Sequence, residues 1–202
     1  MTDALPELWI LRHGETEWNR EGRWQGRLDS PLTERGEAQA RALGAMLRRL
    51  RVGPPRHLLL VSPQGRAMRT AELAFGPGAA RPEPGLREID VGEWSGRLME
   101  DIRADPRTRP EADLRALYDA PPGGEGLLAL ERRCRALLDT LDRPTVLVGH
   151  GMTGRMLRTL ALGCGPEALD DLPSGQGAAF RISHGREEAF WPEPEDASPP
   201  PA

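Results

Sequence analysis

Three short apolar runs, each stopped by a polar or glycine-bearing loop and each leading into a helical pattern, constrain this chain more than any other feature. Leu8-Trp9-Ile10-Leu11 ends at Arg12-His13-Gly14, His57 to Val61 ends at Ser62-Pro63, and Thr145 to Val148 ends at Gly149-His150-Gly151. Runs of four or five apolar residues bounded by such loops read as fully buried strands. The helical patterns between them make the order strand, helix, strand, helix, which points to a parallel sheet. The expected fold class is therefore α/β, a mainly parallel central sheet flanked by helices on both faces.

The intervening pieces support this reading. Thr33 is placed to cap a helix whose apolar positions Leu43, Met46, Leu47 and Leu50 keep helical spacing, whose end is favoured by Arg48, Arg49 and Arg51, and which Gly53-Pro54 stops. Ser62-Pro63 reads as an N-cap and first-turn pair for a helix running to about Phe75. Gly76 to Gly85, rich in Pro and Gly, reads as loop. A polar insert over about residues 98–124 is expected to carry short helices near Leu98 to Ala104 and Glu111 to Tyr118, and to lie over the strand ends. Pro121-Pro122-Gly123-Gly124 separates it from a helix of about Leu127 to Leu141, and the helix after Gly151 is expected to end near Gly163. Ala178 to Ile182 and Glu188 to Trp191 fit a strand pair closing one sheet edge. One domain over residues 1–191 is expected, with a mobile Pro-rich acidic tail from Pro192.

Composition excludes more than it assigns. No run approaches the ~18 unbroken apolar residues of a membrane helix, and Met1 to Leu8 shows no basic stretch followed by an apolar one, so no membrane partner and a cytoplasmic location are expected. The net charge of -4 argues against nucleic acid as a partner, and all 27 basic residues are arginine. Without lysine there is no Schiff-base or P-loop amine, and guanidinium forks are the strong cationic groups left for anions. Cys134 and Cys164 have no CxxC spacing and read as small buried hydrophobes rather than metal or disulfide partners.

In open α/β sheets ligands bind beyond the carboxyl ends of the strands. Parallel strands would carry Arg12-His13-Gly14, Ser62 with Arg66 one helical turn on, and Gly149-His150-Gly151 to one edge. Two histidines with two arginines form a poor metal site, because guanidinium repels a cation, and a good site for a dianion. Each residue alone also has a plainer reading. His13 or His150 could be a hydrogen-bonded structural residue, Arg66 a surface charge, and Glu88 a solvated loop acid beside Arg87. His57 and His184, away from glycine-flanked strand ends, read as structural.

The motifs resemble those of the histidine phosphatase superfamily, in its phosphoglycerate mutase-like branch. The likeness rests on Leu11-Arg12-His13-Gly14-Glu15-Thr16 with Trp18-Asn19, on Asp29 to Gly36 with Gln39-Ala40, on Ser62 to Ala67 with Thr70-Ala71, on Glu88 to Gly96, and on Gly149-His150-Gly151, over about residues 8 to 185. The resemblance implies that His13 is a nucleophile that becomes phosphohistidine and that Glu88 protonates the leaving group and then activates water. Arg12, Arg66 and His150 would hold the phosphoryl oxygens, with Asn19, Thr16 and Gly151 also contributing to phosphate or substrate binding. It implies a small phosphorylated substrate, no metal and no cofactor, and leaves monomer or homodimer open.

Three departures bear on substrate. Gly124-Glu125-Gly126 stands where relatives often carry Gly-Glu-Ser, Gln64 replaces a frequent aliphatic residue, and the insert is short, with Arg103, Arg107 and Arg109 as candidate distal anion contacts. These favour a phosphomonoester hydrolase over a phosphoglycerate mutase. A catalytically silent phosphate-binding or regulatory protein and a metallohydrolase are the rival classes.

Overall fold

A computed structural model describes residues 5–108, 113–173 and 175–193. Its strands are β1 (Leu8–Arg12), β2 (Leu58–Val61), β3 (Arg81–Pro82), β4 (Thr145–Gly149), β5 (Ala179–Ser183) and β6 (Arg186–Phe190). The helices are α1 (Glu17–Arg20), α2 (Glu34–Arg49), α3 (Gly65–Phe75), α4 (Met99–Arg103), α5 (Leu114–Asp119), α6 (Leu127–Leu138) and α7 (Gly151–Ala161). The sheet order is β3-β2-β4-β1-β5-β6, with the first four strands parallel and β5 and β6 antiparallel at one edge.

Strand periodicity of two divides the core. Trp9, Leu11, Leu59, Val61, Val146 and Val148 face α2 and α3, where Leu43, Met46, Leu47, Ala67 and Ala71 receive them. Leu8, Ile10, Leu60 and Leu147 face the other way, into Leu130, Leu137, Met152, Met156 and Leu157 of α6 and α7. With both faces covered, the central strands have no polar face, which is why they read as unbroken apolar runs.

Thr33 caps α2 as its sequence suggests, its Oγ1 accepting Gly36 N–H at 3.0 Å. The cap expected at Ser62 is absent. α3 starts two residues later behind Gln64, because Ser62 Oγ bonds His150 Nε2 at 2.7 Å and only loosely accepts Gln64 N–H at 3.3 Å. Asp29 Oδ1, arriving from a distant loop, takes Arg66 N–H instead, at 3.3 Å. Gly76 to Gly85 is not wholly loop: Arg81–Pro82 pairs with Leu60 and Val61 at the sheet edge, where a proline without an N–H is tolerated. The hydroxyl missing at Gly126 is replaced from the insert, where Asp119 Oδ1 accepts Leu127 N–H at 3.1 Å.

Cys134 is buried, but Cys164, past the end of α7, is exposed, contrary to its expected burial. Residues 111–112 of the expected insert helix and 194–202 of the expected tail lie outside the described residues. Among the described residues no helix is long and apolar enough to cross a membrane.

Candidate active site

Register brings the three strand ends together. Arg12 pairs with Gly149 and Val61 with Val148, His13 N–H donates to Gly149 O at 3.0 Å, and Ser62 N–H donates to Val148 O at 2.9 Å. His13 and His150 therefore face each other with ring centroids 5.2 Å apart.

The loop after β1 is tied down through its own backbone. Gly14 N–H donates to Thr70 Oγ1 at 3.1 Å, Glu15 N–H to Gln39 Oε1 at 2.9 Å, and Thr33 N–H to Glu15 O at 2.9 Å. Gly14 and Gly36 are glycines because two backbones meet there: a Cβ on Gly14 would run into the Gly36 carbonyl and one on Gly36 into the Glu15 carbonyl. This accounts for the motif residues Gly36, Gln39 and Thr70, none of which lines the cleft.

His13 Nδ1 lies 2.7 Å from Gly14 O, which can only accept, so the proton sits on Nδ1 and the lone pair on Nε2. Arg66 Nε donates to that Nε2 at 3.2 Å. Burial, and then the charges of Arg12 and Arg66, hold the imidazole pKa well below its usual 6.5, so His13 is neutral. His150 is likewise held well below 6.5, first by burial and then by Arg66, His13 and Arg12. Its Nε2 is engaged by Ser62, while its buried Nδ1 has no hydrogen-bond partner.

Arg66 is anchored on three sides, by Leu28 O at 2.6 Å, Asp29 Oδ1 at 3.0 Å and Gly26 O at 3.0 Å. Arg12 differs, since its buried Nε has no protein partner. Glu88 reaches the N-terminus of α7. Its Oε2 accepts Met152 N–H at 3.1 Å, and its Oε1 accepts Thr153 N–H at 3.0 Å and the Thr153 hydroxyl at 3.1 Å. Helix N-terminal amides suit a carboxylate. Asn19 is in a capping box with Thr16, and its Oδ1 also accepts Gln176 Nε2 at 2.9 Å.

A cleft of about 250 Å³ opens on this cluster. Its polar lining is Arg12, His13, Asn19, Gln25, Arg66 and Glu88, joined by Gly22, Arg23, Trp24, Val91, Met99 and Tyr118. Thr16, His150 and Gly151 do not line it. Thr16 is fully buried, with its Oγ1 accepting Asn19 N–H and Gln25 Nε2–H at 2.7 Å for the latter, so it holds two lining residues in place. His150 lies beside His13, and Gly151 lies against the Arg12 guanidinium.

Arg107 is not a free distal contact, because it binds Asp105 at 2.8 Å and Glu93 at 3.0 Å; Arg109 lies outside the described residues. The sequence reading missed Gln25, whose buried Oε1 has no partner, and Tyr118, which stacks on Trp24 at 4.5 Å and whose hydroxyl pKa is raised by burial and then by Glu88. A lone glutamine between Trp24 and Gly26 carries no local signal. His57 is structural, its nitrogens facing Glu7 Oε1 at 3.2 Å and the Gly53 backbone. Among the described residues no group of three His, Cys, Asp or Glu side chains is placed to hold a metal ion.

The family model described as Histidine phosphatase superfamily (branch 1) matches residues 8–193. A relative from Cronobacter sakazakii, named Probable phosphoglycerate mutase GpmB, is 34% identical over 184 residues, covering 87% of this chain and 80% of that one. The crystal structure of a phosphoglycerate mutase from Thermus thermophilus superposes with a TM-score of 0.70 at 43% identity, covering 89% and 94%. That of a proposed alpha-ribazole-5'-P phosphatase from Escherichia coli does so with a TM-score of 0.77 at 27% identity, covering 93% and 95%.

Proposed function

The chain belongs to branch 1 of the histidine phosphatase superfamily, and from that premise we propose that it hydrolyses small phosphate monoesters through a phosphohistidine formed on His13. The Nε2 lone pair attacks phosphorus, the ester P–O bond breaks, and Glu88, having taken the acidic proton of the bound phosphate monoester, passes it to the departing oxygen. Water then attacks the phosphohistidine, the P–N bond breaks with its electrons returning to Nε2, and Glu88 takes the proton from water. Phosphoryl transfer needs in-line positioning and neutralised equatorial oxygens more than covalent assistance. Arg12 and Arg66 supply that neutralisation. As the phosphoryl group enters, Arg66 Nε moves its hydrogen bond from His13 Nε2 to a phosphoryl oxygen, freeing the lone pair at the moment it is needed.

The observation that carries hydrolysis over isomerisation is the cleft lining besides Arg12 and Arg66. A mutase must hold the second anionic group of its substrate, and besides Arg12 and Arg66 the lining offers, among the described residues, one cation, Arg23, already bonded to Glu21 at 2.6 Å and to Gly96 O at 2.9 Å. The names of the mutase relatives favour the second reading, interconversion of phosphoglycerates. Incubation with 3-phosphoglycerate and catalytic 2,3-bisphosphoglycerate separates them. Slow phosphate release with little 2-phosphoglycerate is expected, whereas rapid formation of 2-phosphoglycerate reverses the ranking. The same assay on a panel of phosphate esters, a ribosyl 5'-phosphate included, identifies the preferred leaving group.

A further inference from the structure

We propose that the ion pair Glu125–Arg133 is a positioning clamp for Glu88, setting the general acid against the leaving oxygen without touching substrate itself. The proposal rests on Glu88 being the proton donor.

Arg133, on α6, presents a complete fork. Nε and Nη2 donate to Glu125 Oε1 and Oε2, both at 2.9 Å, while Nη1 donates to Gly85 O at 2.7 Å and Arg87 O at 2.9 Å. Glu125 grips the other side, its N–H donating to Asp90 O at 2.8 Å and its Oε2 accepting Asp90 N–H at 3.3 Å. Among the described residues, the bonds by which the Arg133 fork and Glu125 reach outside the pair fall on the backbone of residues 85, 87 and 90, which bracket Glu88. None falls on the Glu88 carboxylate, which accepts instead from the Met152 and Thr153 amides of α7, the Thr153 hydroxyl and Ile89 N–H. Glu88 N–H is fixed separately by Gln64 Oε1 at 2.7 Å.

The two side chains are only 23% and 20% exposed, so this is not a solvent-screened surface pair. Arginine is required, since Nε, Nη1 and Nη2 together serve four acceptors, which the five N–H donors of a guanidinium can do and the three of an ammonium cannot. Loss of the fork leaves Gly85 O without its donor, leaves Arg87 O with the Thr153 hydroxyl alone and Glu125 with Asp90 N–H alone, and loosens the segment that aims Glu88. A misplacement of about 1 Å at a reacting group costs on the order of 10²-fold in rate.

The readout is leaving-group dependence, which a merely structural role would not move. An alkyl alkoxide needs the proton and p-nitrophenolate does not. In single-turnover phosphorylation of purified full-length enzyme, Arg133→Met is expected to slow reaction with an alkyl phosphate about 10- to 100-fold and with p-nitrophenyl phosphate less than about 3-fold. In a Glu88→Gln background, the same substitution should add less than about 2-fold, because coupled residues are not additive. Arg133→Lys should resemble Arg133→Met rather than wild type. Glu125→Gln, which keeps the volume but loses the charge facing the fork, gives the same ratio if Arg133→Met does not fold. Equal losses on both esters, a full further loss in the Glu88→Gln background, or wild-type behaviour of Arg133→Lys overturns the clamp. Failure of the wild-type enzyme to phosphorylate from either ester would instead refute the proposed hydrolysis, which keeps the two claims separable.

Discussion

Replacing Gly36 by alanine tests how the nucleophile loop is held. A Cβ built on Gly36 stands 2.0 Å from Glu15 O, and real Cβ contacts do not fall below 3.0 Å, so one backbone must retreat by at least 3.0 − 2.0 = 1.0 Å. Gly36 is in the first turn of α2, whose Leu43, Met46 and Leu47 are locked in the core, whereas Glu15 is two residues from His13 in a loop. The loop yields. A shift of about 1 Å at a reacting atom predicts a fall in kcat/KM on the order of 10²-fold. Stability changes less, because overpacking costs about 1–3 kcal/mol and alanine in a helix returns about 1 kcal/mol. The net, about 0–2 kcal/mol, corresponds to a Tm lower by about 0–8 °C in a chain of this size.

Gly44→Ala is the control. It lies in the same helix and its Cβ would stand 2.4 Å from Ala74 O, a contact between α2 and α3 away from His13. Thermal melts and p-nitrophenyl phosphate kinetics of both variants decide the matter: Gly44→Ala should match the stability change while keeping kcat/KM within about 3-fold, given that 1 Å shifts elsewhere leave the reacting atoms in place. Wild-type kcat/KM in Gly36→Ala, or equal activity losses in the two variants, would refute the reasoning.

Thr70→Val removes the acceptor of Gly14 N–H at unchanged shape. A buried unsatisfied donor should cost about 1–3 kcal/mol by denaturant unfolding, with slower phosphorylation as well. His13 and His150 are neutral when folded and take up protons when unfolded. Their contribution to stability is therefore full above pH about 6.5 and lost as pH falls below it, at up to about 1.4 kcal/mol per pH unit for each. Unfolding free energies measured from pH 7 to 5 should show that slope, and His150→Ala should flatten it. Activity should survive exhaustive chelation, because Arg12 and Arg66 carry the charge that a metal would otherwise supply; loss with EDTA and recovery with zinc or manganese would move the site to the metallohydrolase class.

The parts of this site that were legible in the sequence are those where local pattern and topology coincide. A short apolar run ending in a polar loop marks a strand end, and parallel strands send such ends to one edge, so Arg12, His13, Ser62 and His150 were found from the residues alone. Thr33 was legible as a cap because its partner is three residues away. Ser62 was misread for the converse reason: a serine before proline has the right local form, but its hydroxyl is taken by His150, 88 residues distant. Gln25, Tyr118 and the Glu125–Arg133 pair leave no trace in periodicity or spacing, since their meaning lies wholly in partners brought by the fold. Arg107 reads as available for an anion although Asp105, its main partner, stands only two residues before it; what nothing local shows is that Glu93, 14 residues earlier, returns to meet it as well.

The central claim is that His13 carries the phosphoryl group. Rapid quench of the enzyme with a labelled phosphate ester, followed by peptide mapping under basic conditions, tests it most directly. The account expects acid-labile, base-stable phosphate on the peptide containing His13, turning over with excess unlabelled ester and absent from His13→Ala. Label that persists in His13→Ala, or that maps to another residue, would contradict it.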